Sequence, residues 1–233
     1  MAELESPYEL ILKPTREKKM NETFDFNDGN GPVSAHRHIN PDRSQGGWVS
    51  ETATVEETVY IGPGALVSGN AMVSGNAMVS GNAMVYENAM VYGNARVFGN
   101  AWVYGNAWVY ENARVSGNAM VYGNARVFGD VMVYGNAWVF GNAMVSEDAW
   151  VSDRSHLCWV DRLGTGESVA AYRNSEGGIS VRAGCVEFRS LKEMKAYLKA
   201  GPTEYSELDS ETRERYVKQG LAFVKLAKAT IVL

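Results

Sequence analysis

The chain of 233 residues is 45% hydrophobic and 21% charged, which is ordinary for a soluble protein with one large domain or two small ones. No apolar run is long enough to span a bilayer, and the first residues lack the apolar core of a signal peptide, so a cytoplasmic protein without membrane contact is expected. The formal net charge is −5, and residues 49–152 carry eight acidic and three basic side chains. This acidic segment disfavours nucleic acid as a partner there.

Residues 1–47 mix a short apolar run with turn-rich stretches such as NDGNGP and INPDRSQGG. Turn residues at this density predict one or two strands joined by loops. The segment precedes a long repeat, whose open end would expose apolar side chains and unpaired strand edges. We therefore expect residues 1–47 to cap the first coil of that repeat.

Residues 48–152 are built on a six-residue repeat, Val-x-Gly-Asn-Ala-x, whose apolar position recurs at every sixth residue from Val49 to Val151. So short and strict a period is typical of a β-solenoid, in which each repeat supplies a strand and a corner. Val and the Ala two residues before it share the inward side of a strand, and Gly-Asn supplies the bend. With three strands in each 18-residue coil, the eighteen repeats predict about six triangular coils.

Asparagines fall at every eighteenth residue along each corner of such a rod, as at Asn70, Asn88 and Asn106. This spacing predicts a ladder of amides that links successive coils. We assign no function to it.

Residues 153–233 are predicted to form a small α+β module of three strands and two helices. Runs near residues 156–161, 168–173 and 179–186 alternate or cluster as strands do, with glycine-containing turns between them. A helix is expected from Ser190, because Ser-Leu-Lys-Glu is a capping box. A second capping box at Ser206–Asp209 predicts another helix that starts near these residues and runs to about Ala227.

The repeat resembles the hexapeptide-repeat family, and this resemblance implies a left-handed parallel β-helix. The family is best known for acyltransferases, which bind acyl-CoA between the rods of a trimer, and it includes zinc carbonic anhydrases. Acyl transfer needs a general base, usually histidine, and the zinc enzymes need three imidazoles. The repeat of this chain contains no histidine, no cysteine and no inserted loop. We therefore expect the family's fold without its activities or cofactors.

The candidate metal ligands lie outside the repeat. His36 and His38 form a His-Arg-His stretch, and His156 stands two residues before Cys158, with Cys185 further along the chain. Neither group supplies the full ligand set of a zinc site. We interpret the two histidines as part of a surface or capping loop and the cysteines as buried, reduced thiols, and we predict no metal.

The outward positions of the repeat hold Met, Trp, Tyr, Phe, Ser and a few Arg, where a solvated rod would carry polar side chains. A coil of 18 residues stacks these positions into three faces, and one face has no charged residue over five coils. Such an apolar stripe exceeds what a monomer normally exposes, and these residue types are enriched at protein interfaces. The predicted interface residues are Met84, Tyr86, Trp102, Tyr104, Met120, Tyr122, Trp138, Phe140, Trp108 and Tyr110. The alternative is that the rings form ladders that only stabilise the sheets.

The whole chain also resembles hexapeptide-repeat proteins encoded by bacteriophages and prophages, through its His-Arg-His and Gly-Gly-Trp-Val lead-in, its uninterrupted repeats and its Tyr172-Arg173 and Gly184-Cys185 pairs. We predict a non-enzymatic assembly or binding protein. Its partner would be another copy, in a dimer or trimer, or a host protein, including a defence factor that it inhibits. The alternative is an acyltransferase whose base, His36, His38 or His156, comes from outside the coils.

Overall fold

A parallel β-solenoid forms the centre of the protein. The computed structural model describes residues 22–163, 167–183, 186–200 and 209–231. Within the solenoid, every coil of 18 residues adds one strand to each of three parallel sheets, so residue i pairs with residue i+18. Each of the three sheets receives six such strands, which confirms the predicted six coils.

The three sheets, which we name A, B and C, follow one another in every coil. Sheet A consists of β1 (Glu22–Asp25), β2 (Pro32–Ile39), β3 (Gln45–Ser50), β6 (Leu66–Val67), β9 (Met84–Val85), β12 (Trp102–Val103), β15 (Met120–Val121) and β18 (Trp138–Val139). Sheet B consists of β4 (Thr54–Val55), β7 (Met72–Val73), β10 (Met90–Val91), β13 (Trp108–Val109), β16 (Arg126–Val127) and β19 (Met144–Val145). Sheet C consists of β5 (Tyr60–Ile61), β8 (Met78–Val79), β11 (Arg96–Val97), β14 (Arg114–Val115), β17 (Met132–Val133) and β20 (Trp150–Val151).

The core of the rod is made almost entirely of valine and alanine. Val103 and Ala101, for example, have no exposed surface, and neither do their counterparts in the neighbouring coils. The backbone of one coil bonds to the next, as where the Trp102 N–H donates to the Ala119 carbonyl at 2.9 Å. A core of small, stiff side chains suits two-residue strands, because longer side chains would not fit between three sheets so close together.

The corners depend on left-handed backbone. Fourteen consecutive corner positions from residue 69 to residue 147 have positive φ, and eleven of them are glycine. The other three are Glu87, Glu111 and Glu147, with φ near 60°. Beside these positions the predicted amide ladders are confirmed, as where Asn88 Nδ2 donates to Asn106 Oδ1 at 3.2 Å.

An antiparallel extension closes the N-terminal end. Strand β3 pairs with β2, and β2 with β1, so the extension continues sheet A. At the open edge of sheet C, Asn40 Oδ1 accepts from the Ile61 N–H at 2.8 Å, and His38 Nε2 donates to the Val59 carbonyl at 2.9 Å. These side chains satisfy backbone groups that have no preceding coil. Residues 1–21 of the predicted N-terminal segment lie outside the described residues.

The C-terminal module contains an antiparallel sheet and two helices. Its elements are the 3₁₀ helix Arg154–His156, the strands β21 (Leu157–Leu163), β22 (Glu167–Arg173), β23 (Ile179–Ala183) and β24 (Val186–Phe188), and the helices α1 (Leu191–Ala200) and α2 (Ser210–Thr230). The prediction of three strands was wrong, because the run 179–186 belongs to two strands. Ala183 lies opposite Val186 in their pairing, and an apolar run in sequence does not reveal so short a reversal.

Helix α1 begins at its predicted cap, and α2 begins at Asp209, the last residue of the predicted Ser206–Asp209 box, whose other residues lie outside the described part of the chain. Ser190 Oγ accepts from the Glu193 N–H at 3.1 Å, and the Glu193 carboxylate accepts from the Arg189 N–H at 2.8 Å. Asp209 Oδ1 accepts from the Thr212 N–H at 2.8 Å at the start of α2. Neither described helix has the combination of length and apolar composition that crossing a bilayer requires.

The module covers the last coil of the rod. Leu157, Ala170 and Tyr172 are buried and join the solenoid core, while the helices pack on the other side of the sheet in a second core. Asn174 forms an isolated antiparallel bridge with Ala149, and the Ser175 N–H donates to the Asp148 carbonyl at 3.1 Å. The sheet therefore does for the C-terminal end what β1 to β3 do for the N-terminal end.

The corner geometry predicts which glycines resist substitution. A Cβ on Gly105 would lie 2.8 Å from the backbone nitrogen of Gly123, at a φ of +74°. We expect Gly105→Ala to lower the free energy of unfolding by roughly 2 kcal/mol or more, from left-handed strain and overpacking together. Denaturant unfolding followed by circular dichroism measures the loss.

Two variants control for this effect. Gly177 has a φ of +79° and nothing within 4 Å of its Cβ position, so Gly177→Ala should cost only the left-handed strain, about 1 kcal/mol. Glu111→Gly should stabilise the protein by about 1 kcal/mol, because it removes that strain. Equal losses for Gly105→Ala and Gly177→Ala would contradict the proposed packing between coils.

Candidate binding face

The outward side chains form three faces, named A, B and C after their sheets. Each outward position stacks on its counterpart one coil away, as Trp102 does on Met84 and Met120. Eight of the ten predicted interface residues lie on face A: Met84, Tyr86, Trp102, Tyr104, Met120, Tyr122, Trp138 and Phe140. Trp108 and Tyr110 lie on face B, so the predicted set is divided between two faces.

Face A carries an aromatic ladder beside a column of Trp and Met. The rings of Tyr86, Tyr104 and Tyr122 stack nearly parallel, with centroids 4.9 and 5.0 Å apart, and Phe140 continues the ladder at 5.4 Å. Trp102 meets the ring of Tyr86 edge-on at 6.4 Å. The tyrosines of the ladder therefore have stacking partners within the sheet, whereas Trp102 contacts a ring only edge-on and keeps 41% of its surface exposed.

Burial among neighbouring rings changes the chemistry of these tyrosines. It raises the pKa of Tyr86 to about 12, and the nearby Tyr104 and Glu87 add to the rise. The pKa of Tyr104 is also raised, mainly by burial, with Tyr122 and Glu87 as further causes. The phenols therefore stay neutral at physiological pH, and Glu87 is close enough to both rings to affect them.

Arginines from the flanking segments cover both ends of face A. The guanidinium of Arg37 lies 4.6 Å from the ring centroid of Trp48, which precedes Leu66 in the column. At the other end Arg154 lies over Trp138 at 3.1 Å, and Trp159 packs against Phe140 at 5.7 Å. The uncovered part of face A is therefore its middle, around Trp102.

Face B is covered more extensively by the protein's own side chains. Its ladder runs through Tyr92, Tyr110 and Phe128 at spacings of 4.9 Å. Arg126 lies 4.7 Å from the ring centroid of Trp108, and Arg182 of the C-terminal module lies 5.0 Å from that of Phe128. Trp108 thus has an arginine over its ring, whereas none of the arginines that the structure describes lies over Trp102.

Face C differs in charge. Arg96 and Arg114 are exposed and lie on adjacent coils, directly paired in register. They line a shallow pocket of about 470 Å³ together with Asn94, Asn112, Asp130 and Met132. Like charges on neighbouring rungs repel each other, so this arrangement carries a small cost in the isolated rod.

The three histidines lie apart and make separate contacts. His36 Nδ1 lies 2.7 Å from Glu51 Oε1, near the start of the rod. His38 is buried, and that burial lowers its pKa. His156 Nδ1 accepts from the Ser152 N–H at 3.3 Å at the opposite end, and burial lowers its pKa as well.

Cys158 is a buried free thiol whose pKa is raised by burial, while Cys185 lies outside the described residues. No cluster of three or more His, Cys, Asp or Glu side chains suited to a metal occurs in the part of the chain that the structure describes.

A polar network at the junction of rod and module was missed by the sequence analysis. The Tyr172 hydroxyl donates to Glu187 Oε1 at 3.1 Å and lies 3.2 Å from Ser146 Oγ. Arg182 donates to Ser146 Oγ at 3.0 Å and to Glu187 Oε2 at 3.3 Å. A signal existed in the repeat, because Ser146 stands where the three preceding coils of face B have Tyr92, Tyr110 and Phe128.

Glu187 lies in an acidic groove at this junction. The groove has a volume of about 870 Å³, and its lining includes the carboxylates of Glu111, Asp130, Glu147, Asp148, Glu176, Glu187 and Glu193. Burial raises the pKa of the Glu187 carboxyl, and the neighbouring Glu147 carboxyl raises it further, against the opposing effects of Tyr172 and Arg182. A proton is therefore held between the rod and the module more tightly than in a free glutamate.

Comparison with known proteins supports the solenoid and does not extend to function. A family model described as "YdcK Beta solenoid repeat" matches residues 65–81, 77–93, 89–105, 95–111, 113–127 and 125–140. No curated protein and no solved structure shows a significant match to the chain. The protein is a β-solenoid repeat protein. Its repeats are similar to the YdcK type, and the match lies within the coils.

The junction predicts a specific pH dependence. Because the folded-state pKa of Glu187 is raised from its usual 4.5, folding retains a proton that the unfolded chain has lost. The contribution of Glu187 to stability is complete below the usual, unfolded-state pKa of 4.5. It is lost as pH rises through the higher folded-state pKa. We expect the advantage of the wild type over Glu187→Gln in free energy of unfolding to shrink as pH rises from about 5 to about 8.

Denaturant unfolding of both proteins across this pH range provides the measurement. The lowered pKa values of His38 and His156 act in the opposite direction, but they are present in both proteins and cancel in the difference. Glu176→Gln, a change of an exposed carboxyl in the same groove, is the matched control. Parallel pH profiles for the wild type and Glu187→Gln would refute the prediction.

Proposed function

We propose that the protein works by binding, without catalysis, and that the middle of face A is the surface it uses. The observation that carries the proposal is the exposure of Trp102 in a charge-free column whose two ends are both covered by arginines of the same chain. Exposed tryptophan surrounded by Met and Tyr has the composition of an interface centre.

The partner is another copy of the chain or a different protein. A bacterial host protein is the kind of partner that the resemblance to phage-encoded repeats implies. The acidic corners support a protein rather than a nucleic acid, since six acidic side chains follow the corner between sheets B and C: Glu56, Glu57, Glu111, Asp130, Glu147 and Asp148.

Substitution with arginine tests face A. Met84→Arg/Trp102→Arg places two charges on adjacent rungs, at a position where Arg96, Arg114 and Arg126 already occur, so the fold should tolerate them. We expect loss of self-association or of partner capture, because the interface centre would then bury unpaired charge. Light scattering after size-exclusion chromatography and affinity capture from bacterial lysate measure the two outcomes.

The matched control is Met90→Arg/Trp108→Arg. These residues are paired in the same two coils and at the same outward position, on face B. The control should retain the wild-type mass and partner capture. If the face A variant also retains both, face A is not the binding surface.

One observation favours the alternative of acyl transfer. His36 contacts Glu51 at 2.7 Å, and a carboxylate that orients a histidine is a feature of general bases. Assay of acyl-CoA turnover with the wild type and His36→Ala separates the two functions. Turnover that is lost in His36→Ala would establish an enzyme, whereas we expect no turnover in either protein.

A further inference from the structure

We infer that the outer side of helices α1 and α2 binds the phosphate backbone of duplex DNA, without reading its sequence. This surface belongs to the C-terminal module, so the inference goes beyond the proposed role of face A and does not depend on it. We name it the basic helix surface. It consists of the exposed lysines of the two helices: Lys192, Lys195, Lys199, Lys218, Lys225 and Lys228.

The fold separates charges that the sequence mixes. Residues 153–233 carry thirteen basic and eleven acidic side chains, so this part of the chain is almost neutral. Three of its acidic side chains, Glu176, Glu187 and Glu193, line the groove at the junction with the rod. The two helices hold eight basic and three acidic residues, which gives them a formal charge of +5. A positive surface therefore exists only once the module has folded.

In α1 the helical period brings the lysines together on the solvent side. Lys192, Lys195 and Lys199 recur at i, i+3 and i+7 and are all exposed. Met194 and Leu198, on the other side of the helix, are buried. The three lysines therefore form one row along the exposed side of α1.

The lysines of α2 continue this charge without acidic neighbours. Lys218, Lys225 and Lys228 are exposed, and no acidic residue follows Glu214 in the helix. Within the described ranges none of the six lysines takes part in an ion pair. Lys199 and Lys228 stand in the last turns of their helices, where a cation stabilises the helix dipole. That role does not account for the other four lysines.

The two helices present these lysines on a single surface. Both pack on the same side of the sheet, where Leu198 and Phe223 belong to one core. A Cβ on Gly220 would lie 2.7 Å from Leu198 Cδ1, so the helices are in direct contact at this point. Lys199 is adjacent to Leu198 in sequence, and Lys218 stands two residues before Gly220. The lysines of both helices therefore share the outer side of the module.

The composition of the basic helix surface favours a phosphate backbone over a protein or a membrane. Lysine is depleted at protein interfaces, whereas it is a common ligand of phosphate as a point charge. A helix that lies on a membrane needs an exposed apolar side. Helix α2 buries Phe223 and Val224 in the module, and of the described helix residues only Leu226 is a large apolar side chain with high exposure. Phosphate is thus the anion that this surface fits.

The same surface favours a duplex over a single strand, and DNA over RNA. Single strands stack on exposed aromatic side chains, but the aromatic residues of the helices, Tyr197, Tyr216 and Phe223, pack in the core of the module. RNA duplexes are recognised in part through their 2′-hydroxyl groups, and Ala196 and Ala222, which stand between the lysines, cannot bond to them. The acidic solenoid repels phosphate, which confines the contact to the helices.

Removal of three lysines tests the contact. Lys195→Gln/Lys218→Gln/Lys225→Gln places residues of good helix propensity at exposed positions, so the module should fold. We expect the wild type to bind a labelled DNA duplex of arbitrary sequence, about two turns long, at low salt. The variant should bind it at least about tenfold more weakly, and the slope of log affinity against log salt should fall by about three, one for each lost phosphate contact. Fluorescence anisotropy measures both quantities.

The matched control is Arg96→Gln/Arg114→Gln/Arg126→Gln. It removes the same number of positive charges from exposed positions on faces C and B of the rod. This control should bind the duplex as the wild type does. Circular dichroism of both variants checks that the helices and coils are folded.

The outcomes that would overturn the inference are distinct from those that test face A. Equal losses in the two triple variants would mean that net charge governs binding and the helices do not. A wild type that does not bind the duplex at low salt also overturns the inference. The same holds if it binds single-stranded DNA, an RNA duplex or vesicles of phosphatidylcholine and phosphatidylserine more tightly than duplex DNA. None of these results bears on face A, which is tested by the mass and partner capture of Met84→Arg/Trp102→Arg.

Discussion

The hydrogen-bonded register between coils is the constraint on which the rest of the structure depends. Residue i lies beside residue i+18 in all three sheets, and backbone donors such as the Trp102 N–H reach the adjacent coil at 2.9 Å. The register holds only if every corner has the same compact backbone conformation and stacks directly on the corner of the next coil. This requires left-handed backbone and the absence of a Cβ that points at the next corner, which is why glycine predominates there.

The same register organises the outer surface. Because the period is fixed, one substitution at an outward position places a side chain directly beside its counterparts one coil away, and similar residues collect in columns. Face A has become a column of Trp and Met beside a tyrosine ladder, whereas face C holds two arginines in adjacent rungs. A rod whose core is uniform valine and alanine can therefore carry different chemistry on each face without a change of backbone.

The ends of the rod required different solutions, because each exposes unpaired backbone and apolar core. At the N-terminal end Asn40 and His38 bond to the edge of sheet C, so His38 belongs to the cap, as interpreted from the sequence, although it lies on a strand and not in a loop. At the C-terminal end a four-stranded sheet packs Tyr172 against the solenoid core. The Tyr172 hydroxyl belongs to the hydrogen-bond network with Ser146, Arg182 and Glu187. The acidic groove at that junction is a consequence of placing Glu147 and Glu187 in contact.

The sequence by itself determined the solenoid, its six coils, the inward Val and Ala, the asparagine ladders and the cap of α1, because each depends on spacing within a few residues or on an exact period. It also predicted eight residues of face A as one group, since a period of 18 assigns them to one side. Only the tertiary structure decided that the Arg126 guanidinium lies over the ring of Trp108 on face B, that Arg37 and Arg154 cover the ends of face A, and that residues 146, 172, 182 and 187 meet. Those contacts join segments with no shared period, and their positions follow from how the end caps pack on the rod.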